Sequence, residues 1–262
     1  CNPDDVTASL LRSYVDAGVG RVSIGVQSMA AHVLGALGRL HDRRNVERAV
    51  DAVRDVGLPT FNVDVIYGAA SESPDDWSET VGAIVELDPP HVSAYGLTVE
   101  PGTPLADRPD RQPDDDDQAD KYEVVDIALV EHGLDNYEIS NWARPGHECR
   151  HNLLYWRQGD YRGLGCAAHS HEVGRRWWNV RTPGRYIDLI EAGRSPVAGE
   201  ERLDREQRRL EGLQLALRTR DGVPTAALPV DELDGLVVVE GDRARLTRAG
   251  RLLANEVSAR LR

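Results

Sequence analysis

Along the first 140 residues, apolar positions recur alternately at helical and at strand spacing. From Asp5 to Ala17 they fall at Val6, Leu10 and Tyr14, a helical period that stops at Gly18. From Arg21 to Gln27 every second residue is apolar, which puts Val22, Ile24 and Val26 on one face of a strand. Ser28 is placed to cap a short helix through Leu37. A longer helix is predicted from Arg43 to Val56, carried by Val46, Ala49, Val50 and Val53 and closed by Gly57. Thr60 to Ile66 is the next strand, with Phe61, Val63 and Val65 on one side and Asn62, Asp64 and Ile66 on the other. Ser73-Pro74-Asp75-Asp76 combines a cap, a first-turn proline and acids, so a helix starts there and runs to about Leu87, where Pro89-Pro90 blocks it. His91 to Val99 is a third strand. A Pro-rich loop from Pro101 to Pro113 leads to Asp114–Asp117, a solvated helix start, and a helix ending near Gly133. Tyr137-Glu138-Ile139 is a fourth strand.

Repeated strand-then-helix units of this length predict an α/β fold with parallel strands, because a parallel pair needs a crossover connection. A partial (β/α) barrel fits best, with a doubly wound sheet as the alternative. Both place their chemistry at the carboxyl ends of the strands. The strands are too few for a whole barrel and the chain opens on Cys1, so front strands are expected to be missing. The barrel part is assigned to residues 1–140. Residues 141–194, rich in Gly, aromatics, Arg and His, have little periodicity up to about Val180 and form an expected functional loop region. Helices at 186–192 and 203–217, a hairpin of 236–239 with 243–246, and a last helix over 248–261 suggest a small α+β winged-helix-like domain over 195–262.

Composition narrows the function classes. A net charge of −13 over 262 residues disfavours nucleic acid and anionic membrane surfaces. The arginines near the end (Arg205, Arg208, Arg209, Arg218, Arg220) are interleaved with acids and form no basic face. Lys121 is the only lysine, a sign of coding bias. No apolar run is long enough to span a bilayer, and no signal peptide is expected from the charged, amphipathic first helix. Three scattered cysteines, Cys1, Cys149 and Cys166, make no disulfide framework, so a cytoplasmic location is expected.

Gln27 ends the first strand, Asp64 lies near the end of the second, and Arg39 follows the short helix between them. A strand-end carboxylate can accept both hydroxyls of a ribose diol, and an Arg with a Gln can hold an amino-acid moiety. The alternative is that Asp64 caps a turn and Arg39 is solvated. Arg21-Val22-Ser23-Ile24-Gly25-Val26-Gln27-Ser28 resembles the RxSxGVQS strand of the oxygen-independent coproporphyrinogen dehydrogenase group of radical-SAM proteins. Leu37-Gly38-Arg39-Leu40-His41 resembles that group's LGRxH, and Asn62-Val63-Asp64-Val65-Ile66-Tyr67-Gly68 its NxDLIYGLP. The resemblance runs from residue 1 almost to the end. It implies a barrel of radical-SAM type in which Gln27, Arg39 and Asp64 contact S-adenosylmethionine, with Tyr95 and Thr98 on the third strand carried over beside them.

Two departures stand out. The group's GLPxQT turn is Gly68-Ala69-Ala70-Ser71-Glu72-Ser73 here. Its CxxxCxxC motif is absent, so the 4Fe–4S cluster is expected only in a full-length parent and this chain alone is expected to form no radical.

His151-Asn152-Leu153-Leu154-Tyr155-Trp156 matches HNxxYW, which separates heme chaperones of the HemW type from true dehydrogenases in this superfamily. An imidazole beside two large aromatics suits a heme: the ring nitrogen of His151 is expected to supply an iron ligand while Tyr155 and Trp156 cover the macrocycle, and the match implies that Asn152 belongs to the same heme site. The alternative is that His151 and Asn152 bond loop backbone while Tyr155 and Trp156 pack. Cys149, His151, Cys166, His169 and His171 have no regular zinc spacing. Instead Gly163-Leu164-Gly165-Cys166-Ala167-Ala168-His169-Ser170 resembles the chaperones' GxGxGAHS turn, with Ala167 in place of a Gly. The resemblance therefore implies a heme chaperone that binds heme or porphyrin and delivers it to an acceptor protein. An oxygen-independent coproporphyrinogen III oxidase of porphyrin biosynthesis is the alternative.

Overall fold

The computed structural model describes residues 1–103, 105–108 and 111–262; positions 104, 109 and 110 of the Pro-rich loop lie outside the described residues. The chain divides into two compact units, Cys1–Glu148 and Cys149–Arg262.

The first unit opens with α1 (Ala8–Asp16), capped by the Thr7 hydroxyl accepting from the Leu10 amide. It continues through β1 (Arg21–Gln27), α2 (Ala31–Ala36), α3 (Arg43–Asp55), β2 (Thr60–Tyr67), α4 (Pro74–Glu86), β3 (His91–Gly96), α5 (Asp115–Glu131), β4 (Asp135–Glu138) and β5 (Asn141–Ala143). Capping boxes start α3 at Asp42 and α4 at Ser73, where N3 side chains Asn45 and Asp76 return the bond to the cap backbone. Ser28 does not cap α2: its hydroxyl accepts from the Ala30 amide at 3.2 Å, two residues on, and faces Thr80.

The five strands lie in the order β1-β2-β3-β5-β4. β1, β2 and β3 pair in parallel, as their helical crossovers require. The fourth strand does not follow on beside β3. β5 enters between β3 and β4, antiparallel to both, so residues 141–143, read from sequence as loop, belong to the sheet. One side of the parallel strands is apolar. Val22, Ile24, Phe61, Val63, Val65, Val92 and Ala94 join Val46, Val50 and Val53 of α3 and Trp77, Val81 and Ile84 of α4 in one buried core.

Lys121 on α5 is buried. Its ammonium lies 3.1 Å from Glu72 and 2.7 Å from Asp117, and it donates to the Glu72 carbonyl at 3.0 Å. Glu72 in turn accepts from the Gly68 amide at 2.8 Å, so this cluster fixes the turn after β2.

The second unit contains α6 (Arg150–Trp156), β6 (His169–Glu172), β7 (Arg175–Asn179), α7 (Pro183–Glu191), β8 (Val197–Arg202), α8 (Arg205–Leu217), β9 (Val223–Pro224), β10 (Val237–Glu240), β11 (Arg243–Leu246), α9 (Arg248–Leu252) and α10 (Ala254–Ser258). β6-β7-β8 form an antiparallel sheet that the sequence reading lacks. The expected hairpin is β10 with β11, extended by β9 into a three-stranded sheet. The single last helix is two, broken at Leu253. Leu217, Val223, Leu228, Leu233, Ala244 and Val257 make a separate small core. No helix among the described residues is long and apolar enough to cross a membrane.

Candidate functional site

The side of the parallel strands opposite the apolar core is polar. Alternation puts Ser23 and Gly25 of β1, Asn62 and Asp64 of β2, and His91, Ser93 and Tyr95 of β3 on it, with Gly25 opposite Asp64 and Asp64 opposite Ser93. Gln27, the last residue of β1, has a φ of 66°, a left-handed conformation unusual for a residue with a side chain. The register slips between Gly25 and Gln27, which brings the Gln27 amide over Gly25: a Cβ there would lie 2.9 Å from Gln27 Nε2. Gln27 is therefore held on the same side as Asp64. Asp64 is half-buried and accepts from Ser23 Oγ at 2.5 Å and Asn62 Nδ2 at 2.6 Å.

Tyr95, the next-to-last residue of β3, pairs in register with Ile66; it is 40% exposed, and partial desolvation raises its phenol above the ordinary range. Thr98 lies two residues past the end of β3, exposed, because the strand stops at Gly96 rather than Val99. Arg39, half-buried, donates to Asn2 at 3.2 Å. Next to Asn2, Cys1 lies along the outer edge of β1, its carbonyl accepting from the Gly25 amide at 2.9 Å. Gln27, Asp64 and Tyr95 thus sit toward the carboxyl ends of three adjacent parallel strands.

Behind them lies a buried network that sequence reasoning missed. Asn62 joins Asp64 to Ser23, Ser93 and His91, and His91 joins Tyr137 of β4. Ser93 donates to Asn141 of β5 at 2.6 Å, and Asn141 donates to the buried carboxylate of Glu138. Desolvation, with smaller contributions from Arg21 and His147, pushes the His91 pKa down to about 3, so the ring is neutral. The signal available in sequence was the run of polar residues at every second position of strands otherwise buried: Asn62 and Asp64, then His91, Ser93 and Tyr95.

In the second unit, the HNxxYW residues lie on α6. His151 is exposed, with its Nε2 3.0 Å from the Tyr155 hydroxyl and the two rings edge to face at 4.8 Å. Tyr155 meets Tyr161 edge to face at 4.5 Å, and Tyr161 stacks on His171 at 6.1 Å. Four rings therefore follow one another from the exposed helix to the buried edge of the β6-β7-β8 sheet, where Tyr161 bridges His171. The His171 ring is committed: Nδ1 donates to the Gly159 carbonyl at 3.1 Å, and Nε2 accepts from the Gly174 amide at 3.2 Å. Asn152 and Trp156 are half-buried on the same helix. A cleft of about 170 Å³ is lined by Tyr155, Gln158, Tyr161, His171, Arg176 and Glu211, among others.

The glycine-rich turn has its own requirements. A Cβ on Gly163 would lie 2.1 Å from the His169 carbonyl oxygen, so only glycine fits there. Ala167 takes the left-handed φ of 58° that a glycine adopts freely. Cys1, Cys149 and Cys166 are unbridged thiols. No group of three or more His, Cys, Asp or Glu side chains is arranged to hold a metal ion among the described residues.

The sequence and the fold both have relatives. The Radical SAM superfamily pattern matches residues 1–84. The Mycobacterium tuberculosis H37Rv protein named heme chaperone HemW is 42% identical over 269 residues, covering 98% of this chain and 69% of that protein. The Escherichia coli K12 protein of the same name is 43% identical over 71% of this chain, which spans about half of its length, 52%. The Bacillus subtilis protein, also named heme chaperone HemW, is 31% identical over 98% of this chain and 73% of its own. Among solved structures, Escherichia coli coproporphyrinogen III oxidase, described as a radical SAM enzyme, superposes with a TM-score of 0.83 over 98% of this chain and 67% of that one. At 19% identity that likeness shows a common fold. With sequence identity of this extent to proteins of which it covers two thirds or more, the chain belongs to the HemW family of radical-SAM proteins.

Proposed function

We propose that this protein binds heme at α6 through His151 and passes it to an acceptor protein, and that it holds S-adenosylmethionine at the carboxyl ends of β1–β3. The observation that carries the heme reading is the ring series His151–Tyr155–Tyr161–His171, which opens on an exposed imidazole. An exposed imidazole supplies an axial ligand, and the neighbouring aromatic faces offer apolar cover for a macrocycle. Tyr155 hydrogen-bonds Nε2 of His151, so iron ligation at that nitrogen would displace the Tyr155 hydroxyl from it. Asn152, Tyr155 and Trp156 line the site.

For S-adenosylmethionine, Asp64 would accept the ribose hydroxyls, since a carboxylate has about four acceptor positions and two are taken by Ser23 and Asn62. Gln27, Arg39, Tyr95 and Thr98 complete the proposed set. A 4Fe–4S cluster open to S-adenosylmethionine needs three convergent thiolates. The cysteines of this chain sit in unrelated segments, so they do not fit that group and no step is assigned through it. The three free thiols support a reducing compartment, the cytoplasm.

Titration with hemin tests the heme reading. The chain should give the sharpened Soret band of histidine-bound iron, and His151→Ala should lose it. His32→Ala on α2, an exposed histidine paired to Asp76 at 3.3 Å, should keep it. Equal binding by the wild type and His151→Ala overturns the assignment.

A further inference from the structure

Asn62 stands at the centre of the polar strand face, and its orientation is fixed from behind. Its Nδ2 lies 2.6 Å from Asp64 Oδ1, 2.8 Å from Ser23 Oγ and 2.9 Å from Ser93 Oγ. Only a donor can face a carboxylate oxygen at such a distance, so the amide nitrogen points to Asp64 and the amide oxygen away from it. That oxygen lies 2.5 Å from His91 Nδ1. Amide oxygens only accept, so the neutral His91 ring carries its proton on Nδ1. Its Nε2 is then an acceptor, and the Tyr137 hydroxyl donates to it at 2.8 Å. The donors run in one direction: Tyr137 to His91, His91 to Asn62, Asn62 to Asp64.

Three of these four side chains are almost wholly enclosed: Asn62 is 6% exposed, His91 1% and Tyr137 0%. Only Asp64, at the end of the series, is half-open. Buried hydrogen bonds in a low dielectric are well aligned and costly to break, so the series holds its terminal carboxylate in one plane. A diol is recognised only when the free lone pairs of that carboxylate point at both hydroxyls together.

We infer that His91 and Tyr137 are positioning residues for Asp64, acting through Asn62 to aim the carboxylate at a vicinal diol. The inference rests on the reading of Asp64 as the ribose acceptor proposed above. A series that merely satisfies buried polar atoms would matter to stability alone.

Two nucleosides that differ only in the diol separate these roles: adenosine and 2′,3′-dideoxyadenosine, titrated into the chain by calorimetry or ligand-observed NMR. His91→Phe removes both bonds of the ring. Tyr137→Phe keeps the ring volume and removes only the hydroxyl, which covers the case in which His91→Phe does not fold. His91→Gln keeps a donor toward Asn62 and an acceptor toward Tyr137. Adenosine affinity should fall about tenfold in His91→Phe and a few-fold in Tyr137→Phe, the scale of one misplaced hydrogen bond. It should recover in His91→Gln, while 2′,3′-dideoxyadenosine binds all four proteins alike. Unchanged adenosine binding in the folded variants, or equal losses for both nucleosides, overturns the positioning role. Asp64→Asn tests the underlying reading separately. If it binds adenosine as the wild type does, or if the wild type binds none, the ribose site itself is withdrawn and the inference with it.

Discussion

Gly25 and Gln27 are in close contact: a Cβ on Gly25 would lie 2.9 Å from the side-chain amide nitrogen of Gln27. The empty position on Gly25 and the left-handed backbone at Gln27 together fold the amide back over the strand end. Gly25→Ala should push the amide aside. Because the displaced atom is the far end of a flexible side chain, the stability cost should stay within about 1 kcal/mol. S-adenosylmethionine binding should weaken while the melting temperature hardly moves. A variant that melts much lower, with affinity intact, would show that Gly25 serves packing instead.

Lys121 and Glu72 make a buried ion pair in the first unit. Lys121→Met leaves the Glu72 carboxylate buried opposite no ammonium and should cost about 3 kcal/mol or more in denaturant unfolding. Lys121→Met combined with Glu72→Gln should recover much of that loss, since a neutral amide still accepts from the Gly68 amide. If the double variant is as unstable as the sum of the singles, the two residues are not coupled.

The same carboxyl predicts a pH dependence. Desolvation, only partly offset by the Gly68 amide and Lys121, holds Glu72 above the ordinary carboxylate range. The folded chain therefore keeps a proton that the unfolded chain gives up sooner. The contribution of this group to stability is full below the ordinary carboxylate value and is lost as pH rises through the raised one. Unfolding free energies measured across the mildly acid range should show this slope in the wild type and lose it in Glu72→Gln.

Ala167 carries backbone strain that can be removed. A Cβ in the left-handed region costs about 1–2 kcal/mol, and glycine gives back part of that gain as unfolded-chain entropy. Ala167→Gly should therefore raise the denaturant midpoint slightly. A clear drop would mean that the Ala167 methyl makes contacts worth more than the strain.

Periodicity made the repeating front half legible. β1 begins and ends where alternation places it, α3 begins at Arg43 as its periodicity predicts, and α4 begins after its Ser73 cap. Strand direction is not written in periodicity, so the insertion of β5 between β3 and β4 was invisible in Asn141-Trp142-Ala143. β6, β7 and β8 escaped for another reason. His169–Glu172 and Arg175–Asn179 mix charge and aromatics on both faces, and most of Val197–Arg202 is exposed, so no apolar alternation marks them. At the site, Gln27 and Asp64 could be placed at strand ends from spacing alone. The partners that orient Asp64 come from β3 and β4, through contacts 29 and 46 residues apart along the chain. Only the fold brings those together.

The enclosure of Lys121 also decides how this chain meets amine chemistry. Its ε-amino group is the only one in 262 residues, and its side chain is 3% exposed. While the first unit is folded, acylating reagents and lysine-directed conjugating enzymes find no accessible ε-amine in this sequence. Acylation at Lys121 becomes possible only when α5 separates from the turn after β2. The rate of that single covalent event therefore reads out the opening of the barrel part, with no probe added to the protein.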